Sequence, residues 1–136
     1  MPVVATNLHP RLRFPLKDAE RIARAVLRRE GTRVSDLNVV FVNHRKMIAL
    51  NTRYLRHRRT TDVIAFGYEN DPVEGDVFVN LDQARRQGKE YRVSLRAEVA
   101  RLIIHGVLHL AGYDDTTAAK RGRMKKREDA ILRSLA

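Results

Sequence analysis

The segment from Ser94 to Ala111 constrains the fold most, because beyond Arg101 it is apolar on nearly every side of a helix. A helix that is hydrophobic all round lies at the centre of a domain. Its longest apolar run, residues 102–110, is interrupted by two histidines and falls well short of the roughly 20 residues that cross a bilayer. We therefore predict a central, buried, histidine-bearing helix, capped by Ser94, and no membrane association.

The remaining patterns predict strands and helices packed around this helix. Leu37–Val42 is an almost unbroken apolar run, typical of a strand that is covered on both faces. Val3–Asn7 reads as an edge strand, and Asp62–Phe66 and Gly75–Asn80 as two strands whose connecting loop is longer than a tight hairpin. Further helices are predicted over residues 15–30, 43–54, 81–88 and 117–135. Residues 1–136 are thus expected to form one α/β (α+β) domain with a mixed sheet of about four strands.

The charge balance favours a polyanionic partner. The chain has 27 Lys and Arg against 16 Asp and Glu, a net charge of +11. The basic residues cluster at positions 53–59, at positions 116–136, and at Arg85, Arg86, Lys89 and Arg92. Each cluster could be an ordinary solvated surface, but three of them on one small domain favour phosphate binding. Aromatic residues make up only 6%, so base stacking is not the obvious mode of binding.

Two histidines carry the strongest chemical signal. His105 and His109 are four residues apart on the predicted central helix, so they project from one face and can share a metal ion. Gly112 can end the helix and let the chain fold back, which brings Asp114 or Asp115 beside them. Two imidazoles and a carboxylate form a recurrent catalytic zinc set, but they also suit non-haem iron, and the pair could instead be hydrogen-bonded packing.

The residue after the first histidine argues against a peptidase. Zincin proteases carry a glutamate there as general base, whereas this chain has Gly106. There is also no cysteine, which excludes thiol catalysis and thiolate zinc fingers. A basic chain around such a site makes phosphodiester hydrolysis more natural than peptide hydrolysis.

Four ordered motifs resemble the YbeY family of metal-dependent endoribonucleases, which are implicated in ribosomal RNA maturation. The segment HGVLHLAGYDD at residues 105–115 resembles the family's HGxLHLxGYDH signature. LNTRY at 50–54, TDVIAF at 61–66 and GDVFVN at 75–80 resemble its LNxxY, PTDVLSF and GD-strand motifs. The main departure is Asp115, which stands where the family has a third histidine. We expect this carboxylate to acidify a metal-bound water less and to change the metal preference.

The resemblance implies a site and a reaction. His105, His109 and Asp115 would hold one divalent transition metal, with zinc expected first and nickel or iron(II) as alternatives. A metal-bound water would attack the phosphodiester. Asp114 could orient a histidine, but it could equally be a simple turn residue. The arginines expected to bind the RNA backbone are Arg53, Arg56, Arg58 and Arg59.

The expected role is a single-strand-directed endoribonuclease in ribosomal RNA maturation and ribosome quality control. Its expected partners are precursor ribosomal RNA and the ribosomal subunit or its proteins, with no nucleotide cofactor. Residues 1–16 lack the apolar core of a secretory signal, which together with the resemblance predicts a cytoplasmic location. Two alternatives stay open: a ribosome-associated RNA-binding assembly factor with a structural or vestigial metal, and a metallohydrolase of a peptide or small molecule.

Overall fold

The computed structural model describes residues 2–55 and 60–135. The strands are β1 (Val3–Asn7), β2 (Val34–Val42), β3 (Val63–Asn70) and β4 (Val73–Asn80). The helices are α1 (Leu16–Arg29), α2 (His44–Leu50), α3 (Leu81–Tyr91), α4 (Leu95–Leu110) and α5 (Ala118–Leu135), with a π-helical turn at Asn51–Leu55. Within these residues, no helix combines the length and the apolar character needed to cross a membrane.

The strands form one mixed sheet in the order β1-β2-β4-β3. β1 runs parallel to β2, and β2 runs parallel to β4. β3 is antiparallel to β4 and lies at the edge of the sheet. The carboxyl ends of β1, β2 and β4 therefore share one edge of the sheet, which we call the carboxyl edge.

Both faces of β2 are covered. Leu37, Val39 and Phe41 are fully buried in the larger core, which they share with α1 and α4. Val42 belongs to a second, smaller cluster that includes Met47 of α2. This arrangement explains the unbroken apolar run, since a strand with only one buried face would alternate apolar and polar residues.

The central helix α4 packs directly on β3 and β4, with α1, α3 and α5 around it. It approaches the sheet closely at Gly106, where a Cβ atom would lie 2.6 Å from Val77 Cγ1. Beyond the helix, Gly112 has a φ of +110°, a conformation that L side chains rarely adopt. The close approach at Gly106 and the turn at Gly112 position both histidines and the loop that follows them.

The fold class, the four-strand mixed sheet and the central buried helix are confirmed. The Ser94 hydroxyl caps α4 by accepting the backbone N–H of Ala97. The predicted long loop between β3 and β4 is wrong, because both strands extend further and only Asp71 and Pro72 separate them. The additional residues of β3 are polar and exposed, so the hydrophobic pattern gave no sign of them, yet they pair with β4 across a register shift.

Candidate functional site

A cleft of about 530 Å³ lies between α4 and the edge strand β3. The helix contributes His105, Gly106 and His109, and the loop after it contributes Asp115. The opposite wall is formed by residues 60–66, which lead into and along β3. The cleft thus combines the residues of the predicted metal site with an exposed strand edge.

The predicted metal-ligating side chains converge in this cleft. Asp115 Oδ2 lies 3.8 Å from His105 Nε2, and Asp115 Oδ1 lies 3.9 Å from His109 Nε2. The loop that carries Asp115 is anchored by Tyr113, whose hydroxyl donates a 2.7 Å hydrogen bond to Glu30 Oε1 at the end of α1. One carboxylate therefore faces the Nε2 atoms of both imidazoles.

A buried carboxylate from α5 holds the other side of His105. Glu128 is 4% exposed, and its Oε2 lies 2.5 Å from His105 Nδ1. This hydrogen bond raises the pKa of His105 above its ordinary value against the opposing effect of burial, and the charges of Glu128, Asp62 and Asp115 add to it. In the neutral imidazole, an N–H at Nδ1 leaves the Nε2 lone pair directed toward Asp115.

Asp114 was given two interpretations, a carboxylate that orients a histidine and a simple turn residue, and its contacts fit the second. Its Oδ1 accepts hydrogen bonds from the backbone N–H and the hydroxyl of Thr116, and its Oδ2 accepts one from Lys120 Nζ. These contacts lower the pKa of Asp114. The structure therefore makes Asp114 a turn residue, and the carboxylate that orients His105 is Glu128.

The two imidazoles and the carboxylate are suitable ligands for a divalent metal, but they lie slightly too far apart to coordinate one ion. Ligands about 2.1 Å from a tetrahedral zinc lie roughly 3.4 Å apart, a few tenths of an ångström less than the His–Asp separations here. Accordingly, no group of three metal-ligating side chains is already close enough to hold an ion within the described residues. The hydrogen bond from His105 to Glu128 is the arrangement found behind metal-ligating histidines.

This geometry can be compared with known proteins. The family model described as Endoribonuclease YbeY matches residues 6–136. The chain belongs to this family. The resemblance inferred from the four motifs is therefore confirmed.

Relatives within the YbeY family match along most of the chain. The Endoribonuclease YbeY of Chlorobium phaeovibrioides is 37% identical over 132 residues, covering 95% of this chain and 89% of the relative. That of Salinibacter ruber is 31% identical over 144 residues, covering 98% and 92%. The solution structure of TM1509 from Thermotoga maritima matches with a TM-score of 0.68 at 21% identity, covering 96% of this chain and 86% of that one. That structural likeness supports the fold.

Of the four arginines predicted to bind RNA, the structure describes one, Arg53. Arg53 lies in the π-helical turn, is exposed, and has its guanidinium carbon 5.3 Å from the centroid of the Tyr54 ring. Arg56, Arg58 and Arg59 lie outside the described residues. The assignment of all four arginines to RNA remains a prediction.

Glu128 was not singled out from the sequence, although a signal for it exists. It shares a helical stripe with Met124 and Ile131, both of which are buried. An acidic residue on the apolar face of an amphipathic helix must find a partner inside the fold. Here that partner is His105, and the pairing connects α5 to the cleft.

Proposed function

We propose that this chain is a metal-dependent endoribonuclease that hydrolyses phosphodiester bonds in single-stranded RNA. The single observation that carries the proposal is the convergence of His105, His109 and Asp115 in the cleft between α4 and β3. The family membership supports the substrate class, since the relatives bear the name endoribonuclease. The net charge of +11 supports a polyanionic substrate.

The proposed ligands of the ion are His105 Nε2, His109 Nε2 and the Asp115 carboxylate. When bound, a divalent metal lowers the pKa of water and polarises a phosphoryl oxygen. Zinc is the metal we propose first, because imidazole and carboxylate donors that leave one position open are typical of catalytic zinc. Nickel and iron(II) accept the same donors.

The protein side chains have separate tasks in this proposal. Glu128 fixes the ring of His105 and keeps the proton on Nδ1, so that Nε2 stays available in the cleft. The arginines at positions 53, 56, 58 and 59 hold the RNA backbone, a contact that positions the strand without reading its sequence. Gly106 lets α4 approach the sheet closely beside the cleft, because a Cβ atom there would lie 2.6 Å from Val77 Cγ1 and 3.2 Å from Val63 Cγ2.

The proposal extends to the cellular role. We place the enzyme in ribosomal RNA maturation, acting on precursor RNA in contact with the ribosomal subunit or its proteins, in the cytoplasm. Residues 1–136 would act as one YbeY-like metallohydrolase domain. The two alternatives, an assembly factor without catalysis and a metallohydrolase of another substrate, are not favoured by relatives that are named as endoribonucleases.

The decisive experiment compares metal content and cleavage in the same preparations. Wild-type protein should contain about one equivalent of a transition metal by elemental analysis and should cleave a single-stranded ribosomal RNA fragment until a chelator is added. Asp115→Ala should lose most of the metal and the cleavage. His109→Ala should also lose cleavage while keeping salt-dependent RNA binding.

Asp114→Ala is the matched control, because it removes the neighbouring carboxylate, whose hydrogen bonds stay within the Thr116 turn and Lys120. It should retain metal and cleavage. A wild-type protein that holds no metal and takes up no added zinc, nickel or iron would overturn the proposed function.

A further inference from the structure

A second cavity, of about 470 Å³, lies beyond the carboxyl edge of the sheet. It is bounded by the loop after β1, by the start of α2 and by α3. We call it the α3 pocket, and its lining residues are Arg11, His44, Asp82, Arg85, Arg86 and Lys89. In open α/β sheets, ligands bind in crevices outside the carboxyl ends of the parallel strands, which is where this pocket lies.

The α3 pocket carries an excess of positive charge, with four cationic side chains and one carboxylate in its lining. Arg11, Arg85, Arg86 and Lys89 are exposed, and none of them forms an ion pair with an acidic side chain in the part of the chain that the structure describes. The one acid in the lining is already engaged, since Asp82 Oδ1 lies 2.8 Å from His9 Nε2 and its Oδ2 accepts the backbone N–H of His44. Solvated surfaces usually intersperse both signs of charge, so four cations around one concavity favour an anionic ligand.

The spacing of the basic residues on α3 also favours an anionic ligand. Arg85 and Lys89 are four residues apart, and Arg86 and Lys89 are three apart, so their charges are neighbours on one helix. Like charges at these spacings destabilise a helix, although Asp82 and Glu90 on the same helix offset part of the repulsion. A phosphate chain bound in the α3 pocket would add attraction to these cations, and the arginine forks suit paired phosphate oxygens.

The α3 pocket adjoins the active cleft. His44, in its lining, has Nδ1 3.2 Å from Thr60 Oγ1, and Thr60 lines the cleft. Asn80 Nδ2 donates a hydrogen bond to Thr60 Oγ1 at 2.8 Å and lies 3.1 Å from His44 Nδ1. These contacts connect the wall between the cleft and the α3 pocket. A strand of RNA leaving the cleft over Thr60 therefore meets His44 and then the cations of α3.

We propose that the α3 pocket binds the phosphodiester backbone of the RNA strand beyond the point of cleavage. The proposal rests on the proposed function for the identity of the ligand. It adds Arg11, Arg85, Arg86 and Lys89 as RNA contacts separate from the arginines at positions 53–59. Such contacts raise affinity for longer RNA and carry no sequence preference.

The test is the salt dependence of RNA binding. Binding of a labelled single-stranded RNA of about 20 nucleotides is measured by fluorescence anisotropy on the full chain, in EDTA to prevent cleavage, from about 50 to 300 mM KCl. For Arg85→Gln/Arg86→Gln, the slope of log K against log salt should fall by about 1.4, since each lost contact to a single strand contributes about 0.7. The affinity at 0.1 M salt should then fall about 25-fold.

Arg28→Gln/Arg29→Gln is the matched control. These two arginines are also adjacent and exposed, but they lie in the last turn of α1, just before the chain enters β2 at the opposite edge of the sheet. Their removal should leave the slope and the affinity close to those of the wild type. An unchanged slope in Arg85→Gln/Arg86→Gln, or an equal fall in both double variants, would overturn the proposal and leave an acidic protein surface as the alternative occupant of the pocket.

The outcome is separable from that of the proposed function. Cleavage of the same RNA by the wild-type protein, with metal restored, reports on the catalytic proposal alone. A slope change without cleavage would keep the α3 pocket as an RNA-binding surface on a protein that is not a nuclease. Cleavage without a slope change would keep the nuclease and remove the α3 pocket from its RNA path.

Discussion

Glu128 Oε2 lies 2.5 Å from His105 Nδ1, so the last helix holds the imidazole of the central helix from behind. Glu128 is in turn approached by Arg101, whose Nη1 lies 3.7 Å from its Oε1. Arg101 also pairs with the fully buried Glu98. The orientation of His105 in the cleft therefore depends on a chain of charged contacts between α4 and α5, in which both carboxylates are buried.

The first prediction concerns this carboxylate. Glu128→Gln keeps the shape of the side chain but removes the charge that fixes the proton on His105 Nδ1. Loss of a hydrogen bond to a metal-ligating histidine typically weakens metal affinity about 10- to 100-fold. Zinc affinity measured by competition with a chromophoric chelator should fall by that factor, while Arg101 stays paired with Glu98 and the protein stays folded.

The control for this variant is the next residue. Asp129→Asn also removes one carboxylate from α5, but Asp129 contacts Lys125 at 3.7 Å, and Lys125 is exposed. Its zinc affinity should match that of the wild type. Equal affinities for Glu128→Gln and the wild type would show that Glu128 has no part in metal binding.

Much of the fold could be predicted because buried faces of helices and strands require apolar residues at regular spacings in the sequence. The apolar helix α4 and the strand β2, which is buried on both faces, each have a recognisable hydrophobic pattern, and Ser94 marks the start of the helix. The β3–β4 turn could not be predicted, because the outer residues of β3, at positions 67–70, are held by backbone pairing and are exposed. Backbone hydrogen bonds leave no hydrophobic signature.

Part of the candidate site could likewise be predicted from the sequence, and part could not. The spacing of His105 and His109 is local, so a helix alone places them together. Their convergence with Asp115 needs the turn at Gly112, which the glycine suggested but did not specify. The contact with Glu128 joins residues 23 positions apart through the packing of two helices, and that docking could not be predicted from either helix pattern.

The second prediction concerns the close approach of α4 to the sheet. Gly106→Ala would place a methyl group 2.6 Å from Val77 Cγ1 and 3.2 Å from Val63 Cγ2, both on stiff β-branched side chains. Overpacking costs about 1–3 kcal/mol, and the gain of about 1 kcal/mol in helix propensity offsets part of that cost. The free energy of unfolding from urea denaturation should fall by up to about 2 kcal/mol.

Gly122→Ala provides the comparison, because Gly122 lies within α5 and its Cβ would meet nothing within 4 Å. That variant should gain about 0.5–1 kcal/mol. If both variants were stabilised alike, the contact between α4 and β4 would be looser than described here.

The third prediction orders the causes of the raised pKa of His105. The hydrogen bond to Glu128 is the largest cause that raises this pKa, and the charge of Asp115 contributes less. In metal-free protein, Glu128→Gln should therefore lower the pKa of His105 more than Asp115→Asn does, as followed by NMR titration of the imidazole nitrogens. A larger effect from Asp115→Asn would mean that Asp115 lies closer to His105 in solution than the 3.8 Å separation seen here.

The last prediction concerns Asp82, which joins the loop after β1 to the start of α2. His9 Nδ1 accepts backbone N–H groups from Arg11 and Leu12, so its Nε2 carries the proton that it donates to Asp82. Burial raises the pKa of Asp82, but the hydrogen bonds from His9 and from the His44 N–H outweigh burial and lower it below its ordinary value. The ionised carboxylate therefore stabilises the fold at pH values above the unfolded pKa of about 3.9, and this stability is lost as the pH falls through the lower, folded pKa.

Asp82→Asn removes that charge and leaves an amide to face the His44 N–H. Hydrogen bonds to charged groups contribute about 1.5–3 kcal/mol, so the variant should be less stable than the wild type by about that amount at pH 7. The difference should begin to shrink below about pH 4, where the unfolded wild-type chain takes up the proton, and should disappear as the pH falls through the lower, folded pKa of Asp82. Urea denaturation of both proteins from about pH 7 to pH 3 measures it, and a stability difference that stayed constant across this range would show that the charge of Asp82 is not what His9 and His44 require.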